Sequence, residues 1–269
     1  MYETHAHTRP FSPDAKQNLE DLVAASRSIG LEGLVVTEHM DPDLDKGLMV
    51  FDVAAYIQAM DAARSTLPSG FRLLNGIEAG YQPHLAERYR TMSGEFPFDH
   101  VIGSVHALDG EDIYFVQDVF GRGRDAVYGA YLDQLCDMAA DGDWFDVVGH
   151  YDYVTRFSGY PDPRLTYREQ SERFDRLFRL MIGNGKSLEL NARSIRAMER
   201  IGVPDPMPDP DVFRRYRELG GELVTIGSDA HAPDEVALYA GRIRDYLASV
   251  GFARTFVFID RKPVPVPFV

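Results

Sequence analysis

The sequence is poor in cysteine, in basic residues relative to acidic ones, and in long apolar runs, and each shortage excludes something. A single cysteine, Cys136, rules out an intramolecular disulfide, and its setting in YLDQLCDMAA reads as a buried thiol on a helix. Lys and Arg number 28 against 42 Asp and Glu, a formal net charge of -14. Such a chain repels a polyanion on average, and no extended run of Lys and Arg overrides that, so nucleic acid is disfavoured and a small-molecule partner favoured. The apolar runs, such as LVV at 34–36 and FVFI at 256–259, fall far short of the roughly 20 residues that a membrane span needs. The opening MYETHAHT has neither the basic start nor the apolar stretch of a signal peptide, so the expected location is the cytoplasm. A homo-oligomer is left open.

What the sequence has is alternation. Hydrophobic content of 45% with 26% charged residues fits an ordinary globular chain, and its length is read as one domain over 1–269. Ser12 as N-cap and Pro13 predict a first helix that runs through NLEDLVAASRSI and stops at Gly30. Strand GLVVTEH follows at 33–39, then a helix near 52–66 before FRLLNGIEAG, one near 84–92 before FDHVIGSVHAL, and one near 125–140 before FDVVGHYDYV. A capping box at Thr166 and Glu169 heads the next helix, ahead of KSLELNA. Asp209 and Pro210 start another before ELVTIGSDAH, and after a helix near 234–249 comes FARTFVFID, placed to close or cover the sheet. About seven βα units with strands buried on both faces predict a barrel of parallel strands, with a doubly wound open sheet as the alternative. Helix-to-strand connections are short, whereas the loops after strands four, five and six are long, and that is the end where barrels build active sites.

The chemistry-bearing residues fall at that same end. His5 and His7 end strand one, His39 strand two, Glu78 strand three, His106 strand four, His150 strand five, Asn191 strand six, and Asp229 with His231 strand seven. A lone histidine is more often a hydrogen-bonded or surface residue than a ligand, but seven strands each delivering a suitable group to one rim points to a shared metal site. His100, six residues before His106 and about 20 Å away along a strand, belongs to the opposite rim as a structural or exposed residue. His84, in the loop after Glu78, is a candidate either for substrate contact or for plain surface placement.

These residues resemble a known family. The opening His-x-His, Asp14 in FSPDA, TEH at 37–39, Glu78 in GIEAG, GSVH ending at His106, His150 in GHYDYV and the final SDAH look like the motifs of the PHP (polymerase and histidinol phosphatase) superfamily, in the manner of its monofunctional histidinol phosphatases. The resemblance implies a distorted seven-stranded (β/α)7 TIM-like barrel with a trinuclear metal centre. It places His5, His7, Glu78 and Asp229 on one ion, Glu78, His106 and His150 on a second, and Asp14, His39 and His231 on a third. Glu38 receives a supporting role behind the ligands.

Charge arithmetic agrees with phosphate chemistry: three divalent ions against three carboxylates leave an excess of about three positive charges, which anionic ligands would fill. Histidine-rich ligation suits Zn, Mn or Fe. Arg156 and Arg193 follow strands five and six and are assigned to the phosphate oxygens, with Asn191 either orienting a ligand or satisfying backbone groups; Arg9, Arg122 and Arg124 lie in loops on the same side, where a solvated arginine is the commoner fate. Asp229 or a nearby histidine is a candidate proton donor, and the acidic loop 109–118 a candidate for holding a substrate amine. The reading is a phosphomonoesterase acting on L-histidinol phosphate in histidine biosynthesis. Its rivals are a PHP-type nucleotide phosphatase or nuclease, an amidohydrolase-type enzyme disfavoured by the absence of Lys from 98–108, and a non-catalytic metal-binding module.

Overall fold

The computed structural model describes residues 1–268. Strands β1 (Tyr2–Glu3), β2 (Gly33–Met40), β3 (Arg72–Gly80) and β4 (His100–Ser104) follow one another around a sheet. A small hairpin, β5 (Ala107–Leu108) and β6 (Glu111–Asp112), leaves the end of β4 before the sheet resumes with β7 (Val147–Val148), β8 (Ser187–Asn191) and β9 (Val224–Gly227). Every pairing in this seven-stranded sheet is parallel. The ring is drawn shut between β9 and the chain just past β1. There Ala6 bridges Ala230, the His7 amide donates to Ala230 O at 2.9 Å, and the Asp229 amide donates to His5 O at 2.8 Å. Buried Glu3 clasps the same seam by accepting from the amides of Thr4, His5, Ser228 and Ala237 at 2.8–3.1 Å. The barrel expectation therefore holds, and the open sheet does not.

Helices α1 (Leu19–Ser28), α2 (Val53–Thr66), α3 (Ala86–Glu95), α4 (Arg124–Ala140), α5 (Ser171–Gly183), α6 (Ala192–Arg200), α7 (Pro210–Glu218) and α8 (Ala240–Ser249) supply the outer layer. Leu22, Tyr56, Tyr89, Leu132, Phe174 and Phe213 from six of them share one buried core with the strand residues Leu34, Ile77, Val101 and Leu188. Cys136 is buried within α4, with burial pushing its thiol up to about 12. A final antiparallel hairpin, β10 (Arg254–Ile259) and β11 (Lys262–Pro267), covers the amino-terminal mouth of the barrel. Val257 packs on Val35 and Leu74, and Phe258 on Ile102 and Val147, near the starts of four barrel strands. Arg261 fastens the turn to Asp146 Oδ2 at 2.5 Å. In β11 every second residue, Pro263, Pro265 and Pro267, is proline.

Three helix starts differ from expectation, and one helix is additional. Ser12 caps no helix: α1 begins at Leu19 under an Asn18–Asp21 capping box, because the Ser12 hydroxyl is already committed to Glu38 and to the His39 amide. The Thr166–Glu169 pair is likewise diverted, since Glu169 binds Arg124 and α5 starts at Ser171. The last helix begins only at Ala240, because Glu235 turns back to accept from the His231 amide at 2.9 Å. Helix α6, capped by Asn191, was not foreseen.

Candidate metal centre

Glu78, at the end of β3, is the hub. Its Oε2 lies 3.2 Å from His5 Nε2, 3.5 Å from His7 Nε2 and 3.0 Å from His39 Nδ1. Its Oε1 lies 2.7 Å from His150 Nε2 and 3.2 Å from His106 Nε2, and accepts from Ser104 Oγ at 2.7 Å. Asp229 Oδ1 stands 3.4 Å from His7 Nε2, while Asp14 Oδ2 stands 2.9 Å from His231 Nε2 and 3.6 Å from His39 Nε2. All nine residues expected as ligands are thus brought together at the carboxyl ends of the strands. His5 and His7 lie just beyond β1 rather than within it, held by the bridge at Ala6.

The donor set fits metal ions. His5 Nε2, His7 Nε2, His39 Nδ1 and Glu78 Oε2 are buried and have no hydrogen-bond partner. Four unpaired polar atoms converging in a dry interior are costly unless an ion satisfies them. Ring nitrogens of His39 and His231, and of His106 and His150, face each other at 3.4 Å, as nitrogens sharing a cation do and two N–H groups do not. Four overlapping groups of three ligand atoms each could hold an ion.

Electrostatics agree. Burial opposes ionisation of Glu78, but the imidazoles of His5, His106 and His39 hold its carboxyl well below the ordinary range. Burial together with the neighbouring His39 and His231 pushes His7 well below 6.5, leaving it neutral with lone pairs to offer. Asp229 resists its burial because His5, His7, Arg193 and Arg156 hold it well below the usual carboxylate range. An ionised Asp229 has no proton to give, which argues against its expected role as proton donor.

Two carboxylates behind the cluster escaped the sequence reading. Buried Glu189 places Oε1 2.7 Å from His5 Nδ1, while its Oε2 accepts from the His150 amide at 2.7 Å and from Asn191 Nδ2 at 3.1 Å. Asp41 places Oδ1 2.9 Å from His106 Nδ1. Such partners take the Nδ1–H and turn Nε2 toward the centre. His231 is oriented in the same sense, with Nδ1 2.9 Å from the Asp229 carbonyl. A usable signal existed, since Glu189 lies two residues before Asn191 and Asp41 two after His39. Glu38, expected behind the ligands, accepts from Ser12 Oγ at 2.5 Å and the Thr8 amide at 3.0 Å, with burial raising its carboxyl to about 7.

Arg156 is buried on the cluster's flank, donating to Asp229 Oδ2 at 3.1 Å, Asn191 Oδ1 at 2.9 Å and Ser194 Oγ at 3.1 Å. Arg193, more exposed, reaches the Asp229 carbonyl at 2.9 Å and also contacts His231. Asn191 therefore orients Arg156 and caps α6. His84 is exposed and pairs with Asp43 at 2.5 Å, and none of the contacts joining the cluster includes it. Arg9 braces its own loop through Ala15 O, Arg122 pairs with Asp109 and Arg124 with Glu169, each away from the cluster. His100 is at the opposite mouth, as expected, buried beneath Phe258.

A βα barrel that gathers six histidines and three carboxylates at the carboxyl ends of its strands has the architecture of a metal-dependent hydrolase. The chain belongs to the PHP domain family, which it matches over residues 3–193. A probable histidinol-phosphatase of Clostridium acetobutylicum is 31% identical over 239 residues, 88% of this chain and 89% of that one. Another from Deinococcus radiodurans is 29% identical over 273 residues, 98% of this chain and 99% of that one. The crystal structure of histidinol phosphate phosphatase from Lactococcus lactis, complexed with zinc, L-histidinol and phosphate, has a TM-score of 0.87 at 23% identity, covering 98% of both chains. The fold is shared along nearly the whole length.

Proposed function

We propose that this chain, acting as one catalytic domain, is a metal-dependent phosphomonoesterase that hydrolyses L-histidinol phosphate to L-histidinol and phosphate. The observation that carries the reading is the convergence of unpaired buried donor atoms around Glu78, with Arg156 and Arg193 on their flank. The named activity of the relatives supports the choice of substrate. Three divalent ions of Zn, Mn or Fe character would be held by His5, His7, Glu78 and Asp229, by Glu78, His106 and His150, and by Asp14, His39 and His231. When bound, such ions supply electrophilic charge and a more acidic water for attack on phosphorus.

The protein's own groups do the rest. Arg156 is fixed by three acceptors before substrate arrives, so its remaining N–H groups need no reorganisation to meet a phosphate oxygen. Arg193, at the more open side, meets a second oxygen. His84, paired with Asp43, is left without a part in this reading.

A panel of phosphomonoesters tests it. The purified protein should contain two to three transition-metal ions per chain by elemental analysis, lose turnover on exhaustive chelation, and recover it with Zn or Mn. Histidinol phosphate should be a better substrate than para-nitrophenyl phosphate despite the latter's better leaving group, because remote binding energy is expressed in the transition state. Arg193→Ala should weaken both substrates by roughly 2–4 kcal/mol. A preference for nucleotides or for the nitrophenyl ester refutes the substrate, and one ion or none refutes the centre.

A further inference from the structure

Asp152 stands at the head of the short helical turn Tyr153–Phe157 that carries Arg156, where an aspartate ordinarily accepts from the first amides of its own turn. Its side chain makes no such bond. The Asp152 carbonyl does the local work instead, accepting from the Thr155 amide at 2.9 Å and the Thr155 hydroxyl at 2.7 Å. The carboxylate is turned across to α6, where its Oδ1 accepts from Ser194 Oγ at 2.7 Å. Ser194 is buried in the first turn of that helix, and its oxygen accepts in turn from Arg156 Nε at 3.1 Å. A hydroxyl has one proton and two lone pairs. Because Asp152 takes the proton, a lone pair of Ser194 is left facing the guanidinium.

We infer that Asp152 and Ser194 are positioning residues that act through Arg156, setting the tilt of its guanidinium before a phosphate arrives. The inference rests on the reading of Arg156 as a phosphate ligand and adds the two residues that aim it. Each nitrogen of the guanidinium has its own acceptor: Nε has Ser194, Nη1 has Asp229 Oδ2 at 3.1 Å, and Nη2 has Asn191 Oδ1 at 2.9 Å. These three bonds engage three of the five N–H donors and leave two for phosphate oxygens. Bonds at Nη1 and Nη2 fix one edge of the planar group, and the bond at Nε removes the tilt about that edge. Without Asp152 the serine is free to turn its proton toward a helix carbonyl, the usual habit of a helical serine, or toward Nε itself, where two donors oppose each other. A tilted guanidinium meets phosphate oxygens out of line, and the loss is common to all esters because the leaving group takes no part.

The test measures kcat/KM for histidinol phosphate and para-nitrophenyl phosphate, and inhibition by inorganic phosphate, in metal-replete wild type, Ser194→Ala, Asp152→Ala, their double variant and Asp152→Asn. Ser194→Ala should lower both efficiencies by a common factor of about ten, the scale of one hydrogen bond to a charged group, and should weaken phosphate inhibition while metal content and melting temperature hold. Asp152→Ala should do the same, and the double variant should lose no more than the larger single loss, since the two act along one path. Asp152→Asn, whose amide oxygen still accepts the serine proton, should recover most of the activity. Wild-type kinetics in Ser194→Ala overturn the relay. So do losses that multiply in the double variant, losses that come with lost metal, or an Asp152→Asn no better than Asp152→Ala. A loss confined to one ester overturns it as well, because it puts the pair at the leaving group. Arg156→Lys with wild-type kinetics refutes the phosphate role of the arginine instead, and the relay falls with it.

Discussion

At the scale of single residues, the centre depends on where glycine stands. A Cβ on Gly227 would come 2.1 Å from Glu189 Oε1, and one on Gly80 would come 1.6 Å from Asp41 Oδ1. Each carboxylate that backs a histidine thus occupies space left by a glycine on a neighbouring strand. Replacing Glu189 with Gln keeps the size but sets an NH2 group against either the His150 amide or the His5 ring N–H, since both donate to the carboxylate. The Glu189→Gln variant should stay folded and bind zinc about 10- to 100-fold more weakly, the usual cost of losing such a partner. Competition against a chromophoric chelator measures this, and wild-type affinity in a folded variant would show that Glu189 does not govern His5. The two-residue spacing put Glu189 on the face of Asn191 and Asp41 on that of His39, but not which histidine each would back, because an acidic residue announces its tertiary neighbour only once the facing glycine is known. Eight of the nine central residues were legible because they sit at the carboxyl ends of six strands, His5 and His7 sharing one end and Asp229 and His231 another; Asp14, in the loop after the first strand, was legible only through the family resemblance.

Elements were read well where one physical rule decides them and poorly where two compete. Strands buried on both faces have few alternatives to an apolar run, and β2, β3, β8 and β9 fall where expected. Helix starts failed at Ser12 and at Thr166, where a residue of the expected cap, Ser12 in one and Glu169 in the other, is engaged by a tertiary partner, Glu38 and Arg124 respectively. The terminal hairpin carries a consequence for pH. It buries His100, whose Nδ1 accepts from the Phe258 amide at 3.4 Å, and burial lowers this ring from 6.5 to about 3. The folded state therefore stays neutral where the unfolded chain takes a proton, so stability is present above 6.5 and is lost as pH falls from there toward 3. Between pH 7 and 5.5 the loss from this one group is about 1 kcal/mol. Chemical denaturation at those two pH values should show His100→Asn less stable overall but less acid-sensitive than wild type by that amount. An identical pH dependence would mean that the ring titrates freely, and that the hairpin does not seal the mouth.

For the molecule as a whole, the seam between β9 and the chain past β1 joins residues 225 positions apart, the Ser228 amide to Glu3. Proposed ligands stand on both sides of it, His5 and His7 on one and Asp229 and His231 on the other. An ion held there ties the ring shut and stabilises only its closed form. Amide hydrogen exchange should therefore quicken on chelation around 3–7 and 226–230 while the interior of β3 stays protected. Uniform acceleration, or none, would show that closure and metal binding are independent. The hairpin beyond that ring has a further consequence, for how the protein meets other copies of itself. Proline has no N–H, so Pro263, Pro265 and Pro267, opposite Phe258, Phe256 and Arg254, fill the non-hydrogen-bonded pairs of the ladder with their nitrogens turned to the outer side. The outer margin of β11 from 263 to 267 thus has carbonyls but no donors, and a passing strand has no complete ladder to build on. Strand addition between copies has to use another edge, and the acidic chain guards this one through backbone chemistry instead of charge.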